Sequence, residues 1–281
     1  PGVGEEPVRA DLHTHTRASD GTLSPRELVR EARAVGLQVL AVTDHDTVDG
    51  IAEAVDEAER LGIELVPGVE LSTDVPGSEV HILGYFVDWR SEPFGTFLQR
   101  LRDGRLARAH EMVRRLNQLG VPLTFEEVVQ QADGAVGRPH VARALVAAGY
   151  VATFEEAFSR YLARGRPAYV ERERFTPEEA VEAILRAGGV PVFAHPLWGG
   201  ERDRVAGLAD RGLVGIEAYY PEHSPQDVQR FLQWAEEFGL VATGGSDYHG
   251  PGPASRAPLG SVYVPPGAVD ALRAARERAH R

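Results

Sequence analysis

Ala10-Asp11-Leu12-His13-Thr14-His15 ends the first apolar, β-branched run of the chain, and the placing of its two histidines governs how the rest is read. Residues i and i+2 of a strand point to one face, so both imidazoles can reach one metal ion. Asp20 follows within five residues of His15. Further along, the same event recurs. His45 follows a second run in Val42-Thr43-Asp44-His45-Asp46, and Glu70 ends a third in Pro67-Gly68-Val69-Glu70. His81 lies on a fourth, within Glu79-Val80-His81-Ile82-Leu83-Gly84. His195 follows the apolar run 190–194, and Asp247 and His249 follow the run 241–244 in Ser246-Asp247-Tyr248-His249.

The runs themselves read as strands over 8–13, 38–42, 64–69, 80–86, 190–194, 214–218, 241–244 and 261–264. Between them lie amphipathic helices over 24–35, 48–61, 177–187, 202–211 and 225–238. Ser24-Pro25-Arg26-Glu27 and Thr176-Pro177-Glu178-Glu179 each read as an N-cap, a proline at the first helical position and acid in the first turn. Such βα alternation implies an α/β fold with a parallel sheet or barrel. Residues 94–166 break the rhythm with helices over 97–119, 125–132, 139–148 and 154–163 and no strand. They read as a helical insertion, leaving 1–93 and 167–281 as the barrel.

Composition narrows the chemistry. Among 281 residues there is no Cys, and all 30 basic residues are Arg, against 42 acidic ones, for a net charge of −12. A thiolate nucleophile, an Fe–S cluster, a Walker lysine and a lysine Schiff base are all excluded. The acidic balance argues against a broad surface for long duplex nucleic acid, though not against a local arginine pocket for a small phosphate. No apolar run approaches the roughly 20 residues of a membrane helix. Residues 1–7 have neither the basic nor the apolar segment of a signal peptide, so a cytoplasmic protein is the expectation.

A βα barrel gathers its active-site groups at the C-terminal ends of successive strands. Six histidines, two aspartates and one glutamate stand at or near such ends here. A lone histidine is usually a packed or solvated residue, but nine aligned imidazoles and carboxylates have few structural uses, because unpaired buried charge is costly. They point to a multinuclear metal site. Ligands without thiolate suit Mn²⁺, Fe²⁺ or Zn²⁺. His110 and His280 read as ordinary helix and tail residues. His140, in Gly137-Arg138-Pro139-His140, and His223, in Tyr219-Tyr220-Pro221-Glu222-His223, lie near prolines where ligand contacts are often made. Asp11, Asp44 and Asp46 are candidates for orienting the ligand imidazoles. Arg17, two residues after His15, is expected close to the metals, with an ion pair to a neighbouring acid as the alternative.

Taken in order, these motifs resemble the PHP (polymerase and histidinol phosphatase) family over about residues 8–249. The resemblance implies a distorted (β/α)7 barrel with three divalent ions, Mn²⁺ first, and hydrolysis of phosphoesters by a metal-bridging hydroxide. It implies that His13, His15, Glu70 and Asp247 hold one ion, that Glu70 bridges to a second held by His81 and His195, and that Asp20, His45 and His249 hold the third. All nine positions carry the residue type this requires.

The insertion and the Gly137-Arg138-Pro139-His140 segment look most like the stand-alone branch that removes the 3′-phosphate from nucleoside 3′,5′-bisphosphates, some members of which trim the 5′ end of short RNA. On that likeness Arg105 and Arg108, one helical turn apart, hold the second phosphate together with Arg138 and His140, although a solvated basic helix face reads equally from the spacing. Glu70, Asp247, His223 and Arg17 are the expected catalytic groups, with His223 or His140 protonating the leaving oxygen. Rival readings are a PHP phosphatase for histidinol phosphate, phosphotyrosine or a cyclic phosphodiester, and a metal-bound PHP module without catalysis. A barrel amidohydrolase is disfavoured because the carboxylated lysine many of them use has no source here.

Overall fold

The structure, a computed structural model, describes residues 8–76, 78–132, 136–171 and 175–280. The stretch 1–7, read above as lacking a leader, lies outside them. Seven strands run in order around one nearly closed sheet: β1 (Ala10–Asp11), β2 (Val39–Val42), β3 (Glu64–Val75), β4 (Ser78–Tyr85), β5 (Val190–Phe193), β6 (Gly215–Tyr219) and β7 (Val241–Gly244). The helices of the described residues are α1 (Pro25–Ala34), α2 (Ile51–Leu61), α3 (Glu92–Gln118), α4 (Phe125–Val129), α5 (Arg138–Ala147), α6 (Phe154–Ala157), α7 (Pro177–Arg186), α8 (Arg202–Asp210), α9 (Pro225–Phe238) and α10 (Ala268–Ala279). Past β1 and β7 the ring is drawn together by a parallel bridge between Thr14 and Tyr248, with the His15 N–H donating to the Tyr248 carbonyl at 2.8 Å.

Local chemistry starts the helices. Ser24 Oγ accepts from the Glu27 N–H at 3.2 Å while the Glu27 carboxylate accepts from the Ser24 N–H at 2.8 Å, and Pro25 fills the first helical position. Thr176 and Glu179 repeat this reciprocal cap at α7, as do Ser224 and Asp227 at α9. In α1, Leu28, Val29 and Ala32 fall on one face and are fully buried against the barrel. Burying each such leucine contributes about 1.5–3 kcal/mol.

Two sequence expectations change here. β4 runs antiparallel to both β3 and β5, so the barrel is mixed rather than parallel. Only two residues separate β3 from β4, too few for the crossover that a parallel neighbour requires. The expected strand at 261–264 is a loop with a bend at Val262, and Tyr263 is exposed. Pro258 and Pro265-Pro266 bracket it and withhold ladder donors. In addition β3 continues to Val75, six residues past the expected end, and α10 extends the fold beyond the expected helices. The α10 side chains Leu272 and Ala275 join Leu12, Val39, Ala41, Leu83, Tyr85 and Val192 in one buried cluster.

The insertion has a core of its own, built from α3 residues Ala109, Met112, Val113 and Leu116 with Leu123, Val141, Leu145, Leu162, Ala168 and Val170. Phe94 and Leu98, on the same helix, belong instead to the barrel's core. The expected boundary at 93/94 thus falls where α3 still packs on the barrel, and the change of core occurs within that helix. The stretch 154–163 forms α6 followed by one π-helical turn, Phe158–Leu162.

Candidate metal centre

Strand ends deliver the nine groups. His13 and His15 leave β1, His45 leaves β2, Glu70 lies on β3, His195 leaves β5, and Asp247 and His249 leave β7. His81 sits early in β4, opposite Ser72 of β3. Because β4 is antiparallel, its first half lies at the end of the barrel where the other strands finish. Two of these positions hold left-handed backbone, His195 at φ 25° and Asp247 at φ 53°. Such conformations cost of order 1–3 kcal/mol in non-glycine residues and cluster at functional sites. Gly245 is needed for a different reason: a Cβ there would lie 2.7 Å from the His13 backbone nitrogen.

Glu70 is the hub. Its Oε2 lies 3.1 Å from both His13 Nε2 and His15 Nε2 and 3.4 Å from His45 Nδ1, and its Oε1 lies 2.8 Å from His81 Nδ1 and 3.1 Å from His195 Nε2. Asp247 Oδ1 lies 3.0 Å from His15 Nε2 and 3.4 Å from His13 Nε2. Asp20 faces His249 Nε2 at 3.2 Å, His45 Nε2 at 3.6 Å and His15 Nδ1 at 3.7 Å. Donor atoms gather into three metal-sized groups: His13, His15, Glu70 and Asp247; His45, Glu70 and His81; and His15, Asp20, His45 and His249. His195 meets the centre through Glu70 Oε1.

The electrostatics suit cations. Burial opposes charge on all three carboxylates, yet the surrounding imidazoles hold Asp20, Glu70 and Asp247 well below the usual carboxylate range. Burial also opposes a proton on His15, but Asp247 and Glu70 push its pKa up to about 10. His15 is fully buried and neither ring nitrogen makes a hydrogen bond, although Nε2 lies within 3.1 Å of two carboxylate oxygens. An imidazole nitrogen and two anionic oxygens converge at one point there, an arrangement that a divalent ion satisfies in place of a proton.

A cleft of about 100 Å³ opens beside this centre, lined by Asp20, His45, Ser72, Glu79, His81, Arg105, Arg108, Arg138 and neighbours. The helical insertion, the cap of this barrel, therefore brings the three expected arginines to the candidate metal ligands. Arg105 donates from Nε to Asp46 and from its terminal nitrogen to Ser72 Oγ at 2.6 Å. Arg108 donates to the Val170 carbonyl at 2.6 Å and lies 3.8 Å from Glu79. Arg138 donates to Glu79 Oε2 at 2.7 Å.

The chain is also similar to known proteins. The PHP domain family matches residues 11–121. A 5′-3′ exoribonuclease of Haemophilus influenzae is 40% identical over 250 residues, covering 86% of this chain and 90% of its own. This chain belongs to the PHP family. A 3′,5′-nucleoside bisphosphate phosphatase of Chromobacterium violaceum is 38% identical over 88% of the PHP chain and 89% of its own length. The crystal structure of a candidate metal-dependent phosphoesterase from Bifidobacterium adolescentis superposes with a TM-score of 0.87 at 33% identity, covering 96% of this chain and 98% of that one. As a PHP phosphoesterase, the protein is a hydrolase of phosphoric ester bonds.

Other expected site residues of the PHP chain have local partners of their own. Arg17 is exposed and donates from Nε to the Thr22 carbonyl at 2.9 Å. His140 is buried and accepts the Gly137 N–H at 2.9 Å through Nδ1, capping α5, and burial takes its pKa down to about 4. His223 packs between Tyr220 and Phe231. Its Nδ1–H donates to the Ala218 carbonyl at 2.8 Å, and burial lowers its pKa. Asp11 accepts from Ser246 and from the backbone of His13 and Gly260, and Asp44 accepts from Thr16 and Ser19. Both shape loops by these bonds instead of orienting ligand rings. Asp46 bonds Arg105 and the Ser72 N–H.

Glu217 takes the orienting role, and the sequence reading passed over it. It is fully buried on β6, accepts from His13 Nδ1 at 2.9 Å and from the His195 N–H at 2.7 Å. A glutamate inside the apolar run 214–218 was the available signal, since a buried carboxylate requires partners. Tyr220 and Arg256 were also missed. The Tyr220 hydroxyl donates to Asp247 Oδ2 at 2.7 Å, and Arg256 donates to the Tyr220 oxygen at 2.8 Å.

Proposed function

We propose that this PHP protein removes a phosphomonoester from a small nucleotide, the 3′-phosphate of nucleoside 3′,5′-bisphosphates being the preferred group. One observation carries the reading: Asp20, His45 and His81 of the centre line the same cleft as Arg105, Arg108 and Arg138. A substrate with two phosphates has a place for each. The name of the Chromobacterium violaceum relative supports this choice, and that of the Haemophilus influenzae relative supports short 5′-phosphorylated RNA as a second substrate.

His13, His15, Asp20, His45, Glu70, His81, His195, Asp247 and His249 would hold three divalent ions, Mn²⁺ first. When bound, such ions neutralise phosphate charge and make a water nucleophilic near neutral pH. The chain's own contributions are positional. Glu217 fixes the His13 ring, and Tyr220 fixes the Asp247 carboxylate. Arg108 and Arg138 offer planar donor pairs that match a phosphate. Their present partner Glu79 is a carboxylate, which the second phosphate would replace. No helix of the described residues is long and apolar enough to cross a membrane, and a cytoplasmic nucleotide substrate goes with the reading.

The test is phosphate release by metal-loaded enzyme from adenosine 3′,5′-bisphosphate, compared with adenosine 5′-phosphate, histidinol phosphate, phosphotyrosine and a short 5′-phosphorylated RNA. Preference for the bisphosphate supports the proposal. Faster turnover of histidinol phosphate or phosphotyrosine overturns it.

A further inference from the structure

The cleft under the cap accounts for one border of the metal centre. Beside His195 and Asp247 a second border carries Trp198 and Arg256. Trp198 is 40% exposed. Its ring lies 5.5 Å from that of His195 at 69° and 5.9 Å from that of Tyr220 at 87°. Both contacts are edge-to-face, and among the described residues no ring is recorded stacked flat on the indole. The Arg256 guanidinium lies 5.5 Å from the indole centroid. It also reaches Tyr220 Oη at 2.8 Å, Asp247 Oδ2 at 3.4 Å and Glu222 at 3.2 Å while remaining half exposed.

The loop is built to hold the indole there. Gly199 has φ 71°, and a Cβ on it would come within 2.7 Å of Val80 Cγ2. A Cβ on Gly200 would strike the Pro196 carbonyl. These two glycines let Pro196–Gly200 turn tightly against β4, with Trp198 left facing solvent next to a ligand ring. A single exposed hydrophobic residue is ordinary on a protein surface. An exposed indole in contact with the ring of a candidate metal ligand, and braced by an arginine, is a flat platform one ring away from where a phosphoryl group reacts.

We propose that Trp198 stacks the nucleobase of the substrate, and that Arg256 fixes the indole and adds positive charge between base and reacting phosphate. This rests on the nucleotide reading above and extends it to the base. Stacking on an indole tolerates every base, because each has a π face. The site then selects for a nucleoside but not for one sequence.

The test compares adenosine 3′,5′-bisphosphate with 1,3-propanediol bisphosphate, which has two phosphomonoesters and no base. In Trp198→Ala the ratio of kcat/KM for the nucleotide to that for the base-free compound falls about tenfold, and Trp198→Phe restores most of it. An unchanged ratio in Trp198→Ala overturns the proposal. Binding is read separately by titrating metal-loaded enzyme with adenosine 5′-phosphate and following tryptophan fluorescence. Quenching that is lost in Trp198→Phe supports the platform, and equal quenching in both proteins overturns it. If wild type releases phosphate from neither bisphosphate, the phosphatase reading fails, and the titration still decides the base site.

Discussion

Glu217 holds His13 from behind. Its Oε1 lies 2.9 Å from His13 Nδ1, which turns the opposite nitrogen toward Glu70 at 3.1 Å. The same carboxylate accepts the His195 N–H at 2.7 Å, so one buried side chain on β6 sets two candidate ligands at once. Glu217→Gln keeps the shape and removes the charge. Partners of this kind change metal affinity or activity by 10–100-fold when replaced. We expect a loss in that range, read as metal content after dialysis and as kcat, with an unaltered circular dichroism spectrum. Wild-type metal retention would refute the orienting role.

Glu70 is contacted by five imidazoles and is the residue the centre can least spare. Glu70→Ala should abolish phosphate release from adenosine 3′,5′-bisphosphate and lower the number of ions retained per chain. His13→Ala should do the same to activity. A Glu70→Ala enzyme with full turnover would sink the bridging assignment.

Arg108 and Arg138 share Glu79 in the cleft. Removing either arginine should raise KM for a bisphosphate more than for a mononucleotide, by about tenfold for one charge-assisted contact. Equal shifts on both substrates would remove the second-phosphate role. Arg105→Ala should behave differently, because Arg105 ties Asp46 and Ser72 beside His45. Lower metal occupancy is the expected readout there.

Stability in acid has a local source outside the centre. Glu57 on α2 accepts from Arg60 and from Arg30 of α1, and these bonds take its pKa from 4.5 down to about 2. The native state therefore binds this proton less readily than the unfolded chain. The contribution is complete above pH 4.5 and is lost as pH falls toward 2. Glu57→Gln should lower Tm at pH 6 and narrow its gap to wild type as pH falls through that window. A gap that stays constant down to pH 2.5 would show that ionisation of Glu57 is not responsible.

The candidate centre was legible because its chemistry is loud. His13, His15, His45, Glu70, His195, Asp247 and His249 each follow or end an apolar run, and the barrel brings those ends together because the strands that carry them run the same way. Direction itself was not legible. The alternation around His81 has period two in either sense, and only the two-residue link to β3 fixes β4 as antiparallel. Glu217 was overlooked because one glutamate in a strand looks like any other until its neighbours in space are known. Arg256 has no local signal, being one arginine in a loop. The contacts of His140 and Arg17 were not legible for a related reason. Nearness in sequence to a ligand says where the backbone goes, whereas a helix cap or the Thr22 carbonyl decides where the side chain turns.

Helix α3 begins on the barrel and ends in the cap without interruption over 27 residues, roughly 40 Å. Phe94 and Leu98 anchor one end, Met112 and Leu116 the other, and Arg105 and Arg108 lie between. On that side the chain offers no joint about which the cap could swing. The span from the candidate metal ligands to the arginines is thus set by a stiff rod, as in a calliper locked at one opening. Two phosphates separated by the wrong distance would fail at this ruler however well each fitted its own end.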